Sequence, residues 1–205
     1  MKTSQKFLGA LAGAAAVFTA APALAVSVVN ATRVEISSAI PDWLQIAEVE
    51  AYEWGTLVNV AAAANGGVAT AISTGYGGFP PGAIDGVIPG GYVGAYVYHS
   101  ATHGAGETLT ITFAHAADLA SLKVYGVMDG GAPRNFFNYA IYDARNVLLA
   151  SGQLDSRVTA PGVATFDAPP AAGGVPEPSI WAMMILGFGA AGSAIRSRRR
   201  IPAVS

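Results

Sequence analysis

Leu109-Thr110-Ile111-Thr112-Phe113 alternates apolar and polar side chains at every position. Successive side chains of a strand point to opposite faces, so this run buries Leu109, Ile111 and Phe113 and turns both threonines outward. The rest of the body reads the same way. Val34 and Ile36 alternate with Glu35 and Ser37. Leu44 and Ile46 alternate too, but Val49 falls out of their phase, and a bulge near Ala47-Glu48 is expected to absorb the slip. Leu122 and Val124 are expected to begin a separate strand, with Phe137, Tyr139 and Ile141 in another. Val147 to Leu149 and Val163 to Phe166 complete the set. Turn chemistry lies between them at Asn65-Gly66-Gly67, Asp85-Gly86, Pro89-Gly90-Gly91, Asp129-Gly130-Gly131 and Pro161-Gly162. No long helical period appears. The pattern predicts an all-β fold, a β-sandwich over residues 26–168. Gly75 to Gly106 is its least regular stretch, a long Gly- and Tyr-rich segment of the kind that carries function more often than decoration.

The two ends are of different character. Lys2 and Lys6 precede an apolar stretch from Phe7, and Ala23-Leu24-Ala25 gives a small-x-small site. Residues 1–25 therefore read as a signal peptide cut after Ala25, with the Sec translocon as the implied partner. An uncleaved N-terminal anchor is the other reading. After Phe166, the Ala, Pro and Gly residues that fill 169–174 read as a linker.

Between Val26 and Val175 there are five basic and twelve acidic residues, a net charge of −7 against −2 for the whole chain. An acidic body argues against nucleic acid and anionic lipid as partners, because phosphate binding needs clustered Lys and Arg. The chain has no cysteine, which removes thiol catalysis, disulfides and Cys-ligated zinc together.

The tail holds three pieces in order. Pro176-Glu177-Pro178 is stiff and extended. An uncharged, mostly apolar run from Ser179 to Ile195 follows, then Arg196, Arg198, Arg199 and Arg200. As a helix this run only just spans a bilayer core, and the arginines stay on the cytoplasmic side. A short transmembrane helix over this run, a plain membrane anchor, is what hydropathy and charge support. The Pro-Glu-Pro motif, Trp181-Ala182-Met183-Met184, Gly187-Phe188-Gly189 and the Arg cluster of residues 175–200 resemble the PEP-CTERM sorting signal of Gram-negative bacteria. That domain is also labelled an ice-binding-protein C-terminal domain, which does not imply ice binding. The resemblance implies recognition by an exosortase at Pro176-Glu177-Pro178 and an inner-membrane precursor stopped at Trp181 and the arginines. It also implies a host that makes an exopolysaccharide matrix. Residues 201–205 form a short remainder.

The body carries a second resemblance. Trp43 to Tyr52, Asn59-Val60-Ala61, Ala83-Ile84-Asp85-Gly86, Tyr98-His99-Ser100, Leu122 to Gly126, Arg134-Asn135 and Tyr142-Asp143-Ala144 are similar, in that order, to discoidin-type domains. The resemblance implies a galactose-binding-like jelly roll of eight strands that binds sugars or lipid head groups through loops at one end. Two positions depart from the pattern: Tyr98 stands where a tryptophan is usual, and Val127-Met128 where an arginine is often found. The fold does not name the ligand.

Several residues are candidates for chemistry. Tyr92, Tyr96 and Tyr98 fall on alternate positions, which share a face in an extended chain. Their rings suit stacking on sugars, or filling the edge of the core. His99 joins them as a candidate ligand-binding residue. His99 and His103 would pair for a metal on a helix, but the surrounding glycines argue against a helix there. Asp85 is the candidate metal residue: the resemblance places it near a structural calcium, whereas Asp-Gly alone is also a plain turn. Glu48, Glu50 and Glu53 read as a solvated acidic strand face, with paired carboxylate catalysis the alternative. Ser100 beside His99 lacks a nucleophile elbow and an oxyanion hole. The expectation is an exported, non-catalytic surface protein that binds carbohydrate or exopolysaccharide. A structural matrix protein without a discrete site, or a glycoside-active enzyme, are the alternatives.

Overall fold

The computed structural model describes residues 26–92, 94–104, 106–128, 132–158, 161–170, 183–186 and 188. Nine strands lie among them: β1 Val28–Ser38, β2 Trp43–Ile46, β3 Glu48–Glu53, β4 Val68–Ala71, β5 Tyr98–His103, β6 Thr108–Tyr125, β7 Phe136–Tyr142, β8 Leu148–Asp155 and β9 Gly162–Thr165. Every strand pair is antiparallel. The body is all-β and consistent with a β-sandwich.

β6 organises it. Leu109, Ile111 and Phe113 point inward as their alternation requires. Leu122 and Val124 do not start a new strand, as the sequence suggested, but continue the same 18-residue one. The inward phase slips between Leu119 and Leu122, both fully buried. A register shift against β3 between Tyr52 and Glu53 marks the bulge that takes up the slip at this point. The first half of β6 runs between β1 and β4, since Thr110 pairs with both Glu35 and Thr70. The second half runs between β3 and β9, since Leu122 pairs with both Ala51 and Ala164.

Both ends of β6 reach the same end of the body. Thr108 pairs with Ser37, and Ser38 pairs with Phe137. At the other end of the strand, the Val124 carbonyl accepts the Ser156 hydroxyl at 2.6 Å. Ser156 in turn donates its amide to the carbonyl of Asn135, beside Phe136. A straight strand of this length would span roughly 55 Å, so β6 folds back on itself and passes from one layer to the other. One layer is β4, the first half of β6, β1, β7 and β8. The other holds β3, the second half of β6 and β9. The two-stranded sheet β2–β5 is separate.

The slip at Ala47 has a different cause from the bulge expected there. β2 pairs with β5, whereas β3 pairs with β6. Ala47 is the crossing point between two sheets, and its amide donates to the Tyr125 carbonyl at 2.7 Å. The change of phase is a change of sheet. Leu44 and Ile46 from β2, Val49 and Ala51 from β3 and Tyr98 from β5 then join Ile36, Ile111, Leu122 and Phe137 in one buried cluster.

The turn of β6 closes the opposite end of the body. Val28 pairs with Leu119, and the Trp54 amide donates to the Asp118 carbonyl at 2.8 Å. Both ends of the described body meet here: Ser27 bridges to Asp167, and the Asp167 amide donates to the Val26 carbonyl at 3.2 Å.

The expected signal peptide, with Ala23 and Ala25, lies outside the described residues. So do Pro176, Glu177, Pro178, Trp181 and Arg196, Arg198, Arg199 and Arg200. The linker is described only as far as Pro170. Residues 183–186 are helical, and among the described residues no helix is long and apolar enough to cross a membrane.

Candidate functional site

The outward face of the β2–β5 pair carries an aromatic shelf. Leu44 and Ile46 face the core, so strand alternation turns Trp43 outward. Trp43 pairs across the ladder with His103, and the two rings meet edge to face at 3.8 Å between centroids. Tyr76 packs edge-on against Trp43 at 5.9 Å. Behind the indole, the Arg134 guanidinium lies 5.3 Å from its ring centroid. Arg134 is held by Gln45 Oε1 at 3.0 Å and by Asp42 at 3.9 Å. Trp43, Tyr76, Ala101, Thr102 and His103 line an open depression of ≈ 310 Å³. Tyr76 is 66% exposed, and Phe79 and Tyr96, outside the lining, are 50% and 49% exposed.

The segment that brings Tyr76 here is stitched to β5. Gly75 donates its amide to the His99 carbonyl and Phe79 to the Val97 carbonyl, each at 2.9 Å. The segment approaches so closely at Gly78 that a Cβ there would stand 2.5 Å from the His99 amide nitrogen. Upstream, Ser73 donates to the buried Glu107 carboxylate at 2.6 Å, which the Thr102 hydroxyl also reaches. The Ser73 hydroxyl oxygen in turn accepts the Ala101 amide at 2.9 Å.

The four residues expected to bind ligand do not share one face. Residues 94–96 form a 3-10 turn, which breaks the extended alternation. Tyr98 is fully buried, and its hydroxyl donates to the Ser73 carbonyl at 3.1 Å; its ring is core, not binding surface. Tyr92 is half-buried and donates its hydroxyl to the Tyr76 carbonyl. Tyr96 is exposed. His99 is 5% exposed and underlies the shelf, 4.7 Å from the Tyr76 ring, 5.6 Å from Tyr92 and 6.0 Å from Trp43. With Nδ1 assigned as protonated, it donates to the Ser100 carbonyl at 2.7 Å. Burial lowers its pKa, and the Arg134 charge adds to this against the opposing hydrogen bond to Ser100. His99 is thus a neutral buttress, and of the two histidines at the shelf His103 is the one that reaches the surface.

Asp85 forms a turn. Its Oδ1 accepts the Val87 amide at 2.8 Å, and Gly86 takes a φ of +83° that favours glycine. The Gly86 amide donates to Glu48 Oε1 at 3.3 Å. Glu48 does not belong to a solvated face: it is 1% exposed, and its Oε2 is buried without a hydrogen-bond partner. Burial first, then the nearby charges of Asp85 and Glu50, push its pKa from 4.5 to about 8. Calcium binds six to eight oxygens. The turn offers two carboxyl groups, one held mostly neutral and each already accepting an amide. Among the described residues no group of three or more His, Asp or Glu is placed to hold a metal ion. The described residues here do not fit a calcium ion.

The remaining candidates are engaged. Glu50 accepts from the Tyr125 hydroxyl at 3.2 Å and pairs with Lys123 at 3.7 Å. Glu53 lies 3.6 Å from His115. Ser100 is buried, donating to the Thr102 carbonyl and accepting the Leu44 amide. Trp43, Tyr76, His103 and Arg134 were not among the expected site residues. One signal was available for Trp43: a tryptophan out of phase with Leu44 and Ile46 must leave the core face. Tyr76 and Arg134 had none, because their approach depends on long-range packing.

Residues 174–200 match the PEP-CTERM protein-sorting motif. No curated protein and no solved structure matches the chain. The motif makes an exosortase the processing partner and marks the chain for export and sorting to the cell surface.

Proposed function

We propose that this exosortase-processed surface protein is a non-catalytic binding module for carbohydrate of the surrounding matrix. The aromatic shelf carries the reading. Trp43 and Tyr76 stand at right angles around an open depression, with polar edges supplied by His103 and Thr102. Rings with polar neighbours, held by a rigid strand pair, suit the apolar faces and hydroxyl rims of sugars. The open shape suits a chain passing across the surface better than an enclosed small molecule. The non-catalytic reading draws support from Glu48, Glu50 and Ser100, which are buried or already paired. The finer fold assignment is a galactose-binding-like jelly roll, supported by the two antiparallel layers.

Glycan-array binding by residues 26–168, which contain every described strand, tests the reading. Selective retention is expected with calcium and with chelator alike, and Trp43→Ala is expected to weaken it at least about tenfold while the melting transition persists. A blank array from folded protein would discard the carbohydrate reading.

A further inference from the structure

We infer that both processed ends leave the body at one pole and that the aromatic shelf occupies the opposite pole, so the membrane-held precursor presents the shelf outward. The ligand at the shelf, a carbohydrate polymer beyond the membrane, rests on the reading above; the orientation rests on the fold and on the sorting signal.

At one pole, Val26 and Ser27 clasp Asp167 and Ala168. Ser27 bridges to Asp167, its hydroxyl donates to the Ala168 carbonyl at 3.0 Å, and the Val26 carbonyl accepts the Asp167 amide. Next to them Val28 pairs with Leu119, where β6 turns back. A signal peptide cut after Ala25 and a sorting tail beginning at residue 174 therefore depart from neighbouring points. The chain from Pro169 to Val175 reaches at most roughly 25 Å, so the clasp stays close to whatever holds Pro176.

At the other pole, β1 ends at Ser38, beside Thr108 and Phe137. The shelf is built on this end. Asp42 accepts the Gly104 amide through its carbonyl at 3.1 Å, and Arg134, two residues before Phe136, backs Trp43. The eleven residues of β1 separate clasp from shelf, a distance of roughly 30 Å. Lipid head groups near the tail are thus out of the shelf's reach, and extracellular polymer is within it.

The chain has no cysteine, so single thiols can be placed cleanly. Ala168→Cys labels the clasp, Ala101→Cys the shelf, and Val158→Cys the same far pole away from the shelf lining. Each full-length precursor, labelled with a donor fluorophore, is reconstituted into phosphatidylethanolamine–phosphatidylglycerol vesicles containing acceptor-labelled lipid. Energy transfer several-fold stronger from position 168 than from 101 and 158 is expected. Equal transfer from all three, or the reverse order, would overturn the orientation. Strong transfer from 101 alone would instead make the shelf a membrane-binding surface. Transfer from none would show that the tail does not hold the body at the bilayer, and the inference would fall. A blank glycan array alongside the expected transfer order would remove the carbohydrate reading and leave the orientation standing.

Discussion

The amide of Gly86 donates to Glu48 Oε1 at 3.3 Å, while the second oxygen of that buried carboxyl meets no partner. A carboxyl in this position is tolerated because it keeps its proton. Its pKa of about 8 in the folded chain exceeds the ordinary 4.5. The folded state therefore holds the proton more tightly. The stability this gives is fully present below about pH 4.5, falls as pH rises and is gone above about pH 8. Denaturant unfolding at pH 5 and pH 9 is expected to show the loss, on the order of a few kcal/mol. Glu48→Gln should flatten that slope; an unchanged slope would assign it to another group.

Trp43 is the centre of the shelf and lies outside the core cluster. Trp43→Ala is expected to reduce glycan retention at least about tenfold, a loss of roughly 1.4 kcal/mol. Stability should fall less than for a core truncation. Tyr98→Ala provides the contrast: removing a fully buried ring is expected to destabilise the fold by about 3–5 kcal/mol. Melting temperatures and retention measured on both variants separate the two roles. Equal unfolding by both would contradict the surface placement of Trp43.

Gly78 passes within van der Waals contact of His99. A Cβ there would meet His99 main-chain and Cβ atoms at 2.5 to 3.0 Å, so the segment carrying Tyr76 must shift. Gly78→Ala is expected to cost about 1–3 kcal/mol and to weaken retention, because Tyr76 loses its seat on His99. Gly90→Ala, where nothing lies within 4 Å, is the control and should leave both readouts close to the parent.

The sorting motif makes a prediction independent of the body. Replacing Pro176-Glu177-Pro178 by alanines is expected to leave uncut precursor, detected as a larger band in the membrane fraction. The full-length variant should keep the parent's melting temperature, because the described strands end at Thr165. Normal processing of the variant would mean that recognition lies elsewhere in the tail.

Much of the strand content was legible because local alternation and burial agree. Leu109, Ile111, Phe113, Val34 and Ile36 are inward as their spacing predicts. The slip of phase at Ala47 was legible as a slip but not as to its cause, and the break before Leu122 was read as a strand boundary. At Ala47 the chain changes sheet, and near Ala120 one strand bulges and continues, because pairing partners far away in sequence decide each case. The Tyr92-Tyr96-Tyr98 alternation misled for one local and one distant reason: a 3-10 turn at 94–96 breaks the extended run at Tyr96, and pairing with β2 drives Tyr98 into the core.

By itself the sequence determined the all-β class, the acidic body and the tail motif at 174–200. These rest on side-chain periodicity, net charge and a contiguous motif, which need no distant contact. Only the tertiary structure decided that Glu48 is buried and that Trp43, Tyr76 and His103 form one surface. It also decided that Val26 and Asp167 meet at the opposite pole. Those facts arise where β6 folds back and β2 leaves the sheet of β3, because burial and juxtaposition follow from which strands pair.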